Sequence, residues 1–333
     1  MEVYLTVDTE CTEERLIRNV IRPPVGYDLM MRGRVAGRER GLGTELIVDE
    51  LRQFDFQATF FVEALCAEHF GIDGLASVCG DLLSAGQDVQ LHLHPNFRKP
   101  EWRHRGEQPL ADNIGEYDRA AQEQLLRTGI DILERAGVPR ASVRAFRAGN
   151  YGAGNDVWMA MQKVGLAIDS SLNLCYIGRS CMIVPDAPRI DLYEPIEGVW
   201  ELPISCFAEG STYRHLEITA ISSTEMIKAL QNLKAAGAAT ATIVTHPGEF
   251  FFIDDHARRK GRPNRINVLR LRRLLAFLDK ARDRFEVRTV GSLAHELEAG
   301  TKRVAIDPVQ VPSGSAMLRL ARMPAQAVKR LIA

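Results

Sequence analysis

Short apolar runs alternate along the chain with longer stretches whose apolar residues recur at helical spacing. Runs such as "EVYLTVD", "QATFFVE" and "ATIVTHP" are rich in β-branched and aromatic residues, which is typical of buried strands. The pattern predicts strands over 2–8, 57–63, 88–94, 142–148, 166–171, 199–205, 241–247 and 285–290. It predicts helices over 43–54, 117–137, 155–165, 223–237 and 267–285.

Repeated strand–helix alternation predicts a parallel sheet, because consecutive parallel strands need a crossover that a helix usually supplies. Seven or eight such units spread over most of the chain favour a closed barrel over an open sheet. No glycine-rich phosphate loop follows the first strand, which counts against a dinucleotide-binding sheet. We expect the segments 9–42 and 172–198 to be loop excursions that wall a cleft.

Composition indicates an ordinary globular protein, with 333 residues, 46% of them hydrophobic and 26% charged. Lys and Arg total 42 against 43 for Asp and Glu, so there is no nucleic-acid-binding signature. The start "MEVYLTVDTE" has neither a basic region nor a long apolar one, and no apolar run approaches membrane-spanning length. We therefore expect a cytoplasmic protein.

Ionisable residues stand at the carboxyl ends of five predicted strands. They are Asp8 and Glu10 after the first strand, His92 and His94 in the third, Arg147 in the fourth, Asp169 in the fifth and His246 in the seventh. Active sites of parallel barrels form at this end of the strands. The recurrence therefore predicts that these side chains meet in one site.

Each motif has a simpler interpretation when it is taken alone. Asp8 and Glu10 share one face of an extended chain, about 6.6 Å apart, and could be loop-capping carboxylates. His92 and His94 could be hydrogen-bonded core residues instead of a ligand pair. Imidazole and carboxylate together suit Zn²⁺ or a similar divalent ion, and their recurrence at one barrel edge favours that interpretation.

The order of these motifs resembles the polysaccharide deacetylase family (NodB homology, carbohydrate esterase family 4). That family has an Asp-rich first motif, a His pair ending near Pro, an Arg-centred third motif and a late strand ending in His. Here these are "TVDTE", "HLHP", "FRAGNYG" and "THPGEF", and the resemblance runs from about residue 2 to 298. It implies a distorted (β/α)7-type barrel in a single domain over 1–299, followed by a tail over 300–333.

The resemblance also implies a role for each residue of the site. The catalytic residues would be Asp8 as the base, Arg147 orienting it, His246 as the general acid, and Asp169 orienting His246 or Arg147. Tyr151 and Asn150 would shape the oxyanion pocket. Glu10, His92 and His94 would hold a divalent metal ion, with Zn²⁺ expected first and Ni²⁺, Co²⁺, Mn²⁺ or Fe²⁺ as alternatives.

Three departures from the family pattern are visible. Thr9 separates the two carboxylates, which are commonly adjacent in the family. The histidines of "HLHP" are two apart instead of four. "RAGNYG" replaces the prolines that usually follow the arginine.

The activity implied is hydrolysis of an N-acyl group, above all N-acetyl, on an amino sugar. A nucleotide-linked or lipid-linked intermediate of surface-glycan or related glycoconjugate synthesis fits a cytoplasmic enzyme best. The tail residues 315–333 mix apolar with basic side chains. They could form a helix in peripheral contact with a membrane, although packing against the barrel is the preferred interpretation.

Three alternatives remain open. The first is a metal-free hydrolase of the same fold that acts on a cyclic amide. The second is an amidohydrolase-type barrel, in which the H-x-H pair belongs on the first strand, whereas here it lies on the third. The third is a non-catalytic carbohydrate-binding relative, which would not need Asp8, Arg147 and His246 together.

Overall fold

A curved nine-stranded sheet forms the centre of the molecule. The computed structural model describes residues 1–17, 19–255, 259–302, 304, 307–320 and 322. Its strands are β1 (Glu2–Thr9), β2 (Arg15–Ile17), β3 (Val20–Arg22), β4 (Thr59–Glu63), β5 (Asp88–Leu93), β6 (Ala145–Ala148), β7 (Ile168–Asp169), β8 (Tyr193–Ile196), β9 (Val199–Glu201), β10 (Cys206–Glu209), β11 (Thr212–His215), β12 (Thr240–Thr245), β13 (Phe251–Asp255), β14 (Lys260–Pro263) and β15 (Glu286–Arg288). Its α-helices are α1 (Tyr27–Met30), α2 (Thr44–Arg52), α3 (Ala67–Phe70), α4 (Ile72–Ser84), α5 (Arg119–Arg135), α6 (Asp156–Val164), α7 (Ser223–Ala235), α8 (Arg265–Lys280) and α9 (Val290–Glu298).

Seven strands of this sheet run parallel in the order β12-β1-β4-β5-β6-β7-β9. β8 adds an antiparallel edge to β9, and β15 pairs with the start of β1. The chain after β9 closes the remaining gap, because Thr242 N donates to Ser205 Oγ at 2.8 Å and Val244 N donates to Leu216 O at 2.9 Å. The predicted (β/α)7-type barrel is confirmed.

Every predicted strand and helix is present, most of them a few residues shorter than predicted. The sequence pattern missed α9 and also α4, whose two glycines weaken the helical signal. The excursion 9–42 was expected to be a loop, but it contains the hairpin β2–β3 and the helical turn α1. All six residues of the two hairpin strands are exposed, so no buried face gives them an alternating pattern.

The barrel is held by apolar side chains from both sides of the strands. β1 is buried over its whole length except at Glu2, as expected for a central parallel strand. Because seven strands of the sheet are parallel, their carboxyl ends lie at the same rim of the barrel. The loops that carry the site begin at this rim. Among the described residues, no helix combines the length and apolar character needed to cross a bilayer.

The described part of the tail packs against the barrel. Ala208 N in β10 donates to Pro312 O, and Gly314 N donates back to Ala208 O, both at 2.8 Å. Arg322 is buried, and its Nη1 lies 2.7 Å from Glu225 Oε1 in α7. The predicted tail residues 323–333 lie outside the described residues.

Candidate active site

Three donor side chains converge where β1 and β5 end. His94 Nε2 lies 2.8 Å from Glu10 Oε2, and His92 Nε2 lies 3.5 Å from the same oxygen. Alternate residues of a strand point to the same face, so the two histidines reach one carboxylate. Single donor atoms of the three residues all lie within 4.8 Å of one another. The structure therefore brings together the three predicted metal ligands.

The far nitrogen of each imidazole is already engaged. His92 Nδ1 lies 2.8 Å from Arg147 O, and His94 Nδ1 lies 2.9 Å from Asp112 Oδ1. Because these oxygens accept a hydrogen bond from Nδ1, each Nε2 is left to face Glu10 as a ligand atom. A carboxylate behind a histidine is the usual support of a metal-binding imidazole. The donor set fits a divalent metal ion of the zinc type.

Glu10 and His94 shift the pKa of each other. Burial raises the pKa of Glu10, but the neighbouring His94 and His92 outweigh it and hold that pKa well below its usual value. Burial lowers the pKa of His94, but Glu10 and Asp112 outweigh it and raise that pKa well above its usual value. Without a cation the pair is held as carboxylate and imidazolium, so a bound divalent ion would replace the imidazolium proton.

A buried ion pair lies beside the three donor residues. Arg147 Nη1 is 2.6 Å from Asp8 Oδ1, and the two residues are 0% and 3% exposed. Arg147 also donates to Thr6 Oγ1 at 2.9 Å and to the carbonyl of Ser170 at 3.0 Å. Its guanidinium carbon lies 4.2 Å from the centroid of the Phe61 ring. These contacts immobilise the guanidinium and thereby aim the carboxylate of Asp8.

His246 faces the second oxygen of that carboxylate. It follows β12, with Nε2 3.9 Å from Asp8 Oδ2 and Nδ1 3.2 Å from Glu249 Oε1. Burial lowers the pKa of His246, but the hydrogen bond and charge of Glu249, with the charges of Glu10 and Asp8, raise it to about 10. The imidazole is therefore protonated at neutral pH and able to act as an acid.

Glu249 and Glu217 were not predicted from the sequence. Glu249 accepts from Thr245 Oγ1 at 2.6 Å, and Glu217 Oε2 lies 2.8 Å from His215 Nε2. Burial, with the neighbouring Glu217, raises the pKa of Glu249 although His246 opposes it. Glu217, His246 and Glu249 form a second group whose donor atoms lie within 4.8 Å. The spacing of His and Glu in "HPGE" was the available signal for Glu249.

The turn after β6 holds Asn150 and Tyr151 beside His94. Both residues have left-handed backbones, with φ of 54° and 58°, which is costly for a side chain as bulky as Tyr. A Cβ at Gly149 would lie 2.5 Å from the His94 ring, so only glycine fits there. Asn150 Nδ2 donates to Asp112, and the Tyr151 ring packs on Tyr176 with centroids 5.1 Å apart. The two residues predicted for the oxyanion pocket thus border the site.

Asp169 was expected to orient His246 or Arg147, but its contacts are with other residues. In the described part of the chain its carboxylate accepts from Trp158 Nε1 at 3.1 Å and bonds with Ser171 and Glu201, and not with Arg147 or His246. Burial raises the pKa of Asp169 and raises that of Glu201 well above its usual value, so the two carboxyl groups share a proton. Asp169 belongs to this buried pair beneath the rim, and Glu249 occupies the position beside His246.

No family model and no curated protein matches the chain, but solved structures are similar to it. A protein assigned as a polysaccharide deacetylase from Mycobacterium smegmatis is 19% identical over 79% of this chain and 80% of its own, with a TM-score of 0.48. A family 4 carbohydrate esterase from Streptomyces lividans, in complex with acetate, is 12% identical over 85% and 90%, with a TM-score of 0.43. A pseudoenzyme of the same family from Bacillus anthracis is 13% identical over 91% and 66%, with a TM-score of 0.44.

These solved structures carry the name of the family that the order of motifs resembles. All three TM-scores lie below 0.5. We therefore infer the chemistry of the site from the residues of this chain alone.

Proposed function

We propose that the chain is a metal-dependent hydrolase that removes an N-acetyl group from an amino sugar. The observation that carries the proposal is the position of Asp8. One of its oxygens is held 2.6 Å from Arg147, and the other faces His246 at 3.9 Å. A carboxylate base, an arginine that aims it and an imidazolium acid therefore lie together beside three ligand side chains.

In amide hydrolysis, Asp8 acts as the general base and His246 as the general acid. Asp8 accepts a proton from the attacking water as its oxygen bonds to the acyl carbon. His246, protonated at neutral pH, gives its proton to the sugar nitrogen as the C–N bond breaks. An acid on that side is needed because an unprotonated amine is a poor leaving group. The products are a carboxylate and a free amino sugar.

The divalent ion would be held by Glu10, His92 and His94, on the side of the site where the base Asp8 lies. When bound, the ion supplies Lewis acidity that polarises the acyl carbonyl and lowers the pKa of water toward about 7. The 149–151 turn lies beside His94, and its backbone N–H groups would stabilise the developing negative charge.

A groove beyond His246 supports an anionic extension on the sugar. It has a volume of about 960 Å³ and lies between residues 174–188 and the β10–β11 hairpin. Tyr176 forms its inner wall by stacking on His215, with centroids 5.6 Å apart. Arg179 is exposed in the groove, and Arg214 lines it as well. Arg214 already pairs with Glu209, with 3.1 Å between Nη2 and Oε2, so Arg179 is the cation proposed for the diphosphate of a nucleotide-linked or lipid-linked amino sugar.

Metal analysis combined with an acetate-release assay tests the proposed function. Purified chain should hold about one divalent ion and release acetate from N-acetylated amino sugars, among them diphosphate-linked ones. The double variant His92→Ala/His94→Ala should lose both the ion and the activity, whereas His295→Ala, an exposed histidine of α9, should keep both. Activity retained without any ion would favour the metal-free cyclic-amide hydrolase. Neither ion nor activity would favour the carbohydrate-binding relative.

A further inference from the structure

The β2–β3 hairpin exposes apolar side chains on both of its faces. Leu16 is opposite Ile21, and Ile17 is opposite Val20. These residues are 53%, 40%, 45% and 49% exposed, respectively. Successive residues of a strand point to opposite faces, so one cross-strand pair lies on each face. Neither face is covered by the rest of the described chain.

A two-stranded hairpin with no covered face is marginal in water. Contiguous exposed apolar residues on a globular protein mark a surface that another body covers. The two hairpin strands, residues 15–17 and 20–22, therefore have the character of a docking element.

The base of the hairpin lies close in sequence to the candidate active site. Its base is closed by Thr12 and Val25, whose backbones exchange hydrogen bonds of 3.0 and 3.1 Å. A cleft of about 260 Å³ extends from Thr12 and Gly248 to Ile17 and Phe252. Thr12 is two residues from Glu10, and Gly248 is two residues from His246, so the cleft is lined by segments that adjoin the site in the sequence. Phe252, 39% exposed on β13, continues the apolar surface.

Two arginines lie at one end of this apolar surface. Arg15 and Arg22 are exposed opposite each other at the base of the hairpin, and Lys260 is exposed on β14. Neither arginine has an acidic partner among the described residues, whereas Lys260 lies opposite Asp255 in the β13–β14 ladder. Among the nearby acids, Glu14 is buried, Glu13 bonds with Asn96 and Trp102, and Asp254 pairs with Arg262.

We propose that the hairpin and Phe252 dock onto an anionic membrane surface, and that this brings the site to an amino sugar anchored in the lipid. The choice of a lipid-linked substrate rests on the proposed function, whereas the docking itself does not. Aliphatic side chains next to a pair of arginines match a surface whose interior is apolar and whose headgroups are anionic. A second copy of the chain fits less well, because its unpaired cations would face those of the first.

Vesicle co-sedimentation of the full chain tests the docking. We expect binding to vesicles of phosphatidylcholine and phosphatidylglycerol in equal parts, and weak binding to phosphatidylcholine alone. The variant Leu16→Ser/Ile17→Ser/Val20→Ser/Ile21→Ser should bind the mixed vesicles at least tenfold less tightly. Because all four residues are exposed, its thermal unfolding should match that of the wild type. Arg15→Gln/Arg22→Gln should weaken binding at low salt and remove its salt dependence.

The tail supplies a matched control. Met317 and Leu320 are 78% and 66% exposed in the described part of the tail, so Met317→Ser/Leu320→Ser removes comparable apolar surface elsewhere. This variant should bind vesicles like the wild type. If it loses binding while the hairpin variant keeps it, the docking surface is not the hairpin. Equal binding to both vesicle types, or a dimer that the hairpin variant converts to monomer without any vesicle binding, would likewise overturn the proposal.

Two substrates separate the docking from the proposed function. The hairpin variant should hydrolyse a soluble nucleotide-linked N-acetyl amino sugar at the wild-type rate. It should hydrolyse a polyprenyl-diphosphate-linked one in vesicles at least tenfold more slowly. If the hairpin variant and the wild type hydrolyse the lipid-linked substrate at equal rates, docking does not contribute to catalysis on that substrate. Vesicle binding by a wild type that hydrolyses neither substrate would leave the docking standing and refute the hydrolase.

Discussion

The Nδ1 atom of His246 lies 3.2 Å from the Oε1 atom of Glu249, three residues further along the same loop. The ring is thereby held between a carboxylate behind it and Asp8 in front of it. The orienting group for the acid comes from its own loop, whereas Asp169, the residue predicted for this role, lies on a different strand. Glu249 also accepts from Thr245, so the residues just before and after the histidine support one another.

Replacing Glu249 by Gln should lower kcat by about 10–100-fold and change KM little. The pKa of His246, about 10 in the structure, should fall because the carboxylate that favours its imidazolium form is gone. The basic limb of the pH–kcat profile should therefore move to lower pH. Asp254→Asn, which removes an acid of β13 that pairs with Arg262, is the control. An unmoved limb would refute the positioning role.

The same variant has a consequence for stability in the metal-free protein. A pKa raised in the folded state stabilises at pH values below the unfolded pKa, about 6.5 for His. That stabilisation is lost as the pH rises through the folded value of about 10. The free energy of unfolding of Glu249→Gln, relative to that of the wild type, should therefore be lowest at pH 6 and rise toward pH 10. Urea titrations across this range measure the difference.

Replacing Asp112 by Asn should weaken metal binding by about 10–100-fold. Its carboxylate accepts from His94 Nδ1 at 2.9 Å, and an amide oxygen makes that imidazole a weaker ligand. Competition with a chelator measures the affinity. Asp73→Asn, in an exposed position of α4, should leave it unchanged. Equal affinities in the two variants would show that Asp112 does not support the ligand.

Replacing Asp8 by Asn should reduce kcat by about 10²–10⁴-fold, because the base is lost. It should also destabilise the fold by about 3 kcal/mol, since Arg147 would keep its charge in a fully buried position. Asp131→Asn breaks an ion pair of the same 2.6 Å length, but on the surface with Arg140. That control should cost under about 1 kcal/mol. Near-normal turnover in Asp8→Asn would contradict the base assignment.

Replacing Glu201 by Gln should stabilise the protein at neutral and alkaline pH. Burial and Asp169 raise the pKa of Glu201 well above its usual value, so its contribution to stability is present below about pH 4.3 and is lost at higher pH. In the wild type, Leu172 N donates to Glu201 Oε1 at 2.9 Å. A glutamine at this position keeps an oxygen that can accept this hydrogen bond, and its amide can donate to Asp169 without titrating. Thermal unfolding at pH 4 and pH 8 should show a gain for the variant at pH 8 only.

Local sequence already dictates much of this protein. The β-branched runs and the helical spacing predict the parallel barrel, because seven strands that are buried on both faces must be apolar throughout. The spacing of Asp8 with Glu10, and of His92 with His94, places each pair on one face, because side chains alternate along a strand. Their positions at the carboxyl ends of strands were enough to predict that they meet.

Tertiary structure decided which further side chains join them. Asp112, Glu217 and Glu249 come from segments without strand or helix periodicity, and their positions depend on how those segments fold back over the rim. Asp169 looked suitable from its place at the end of β7, yet packing paired it with Glu201 on the neighbouring strand β9. The direction of a side chain on a regular strand follows from local geometry, whereas the partner that a loop brings to it depends on contacts between residues far apart in the chain.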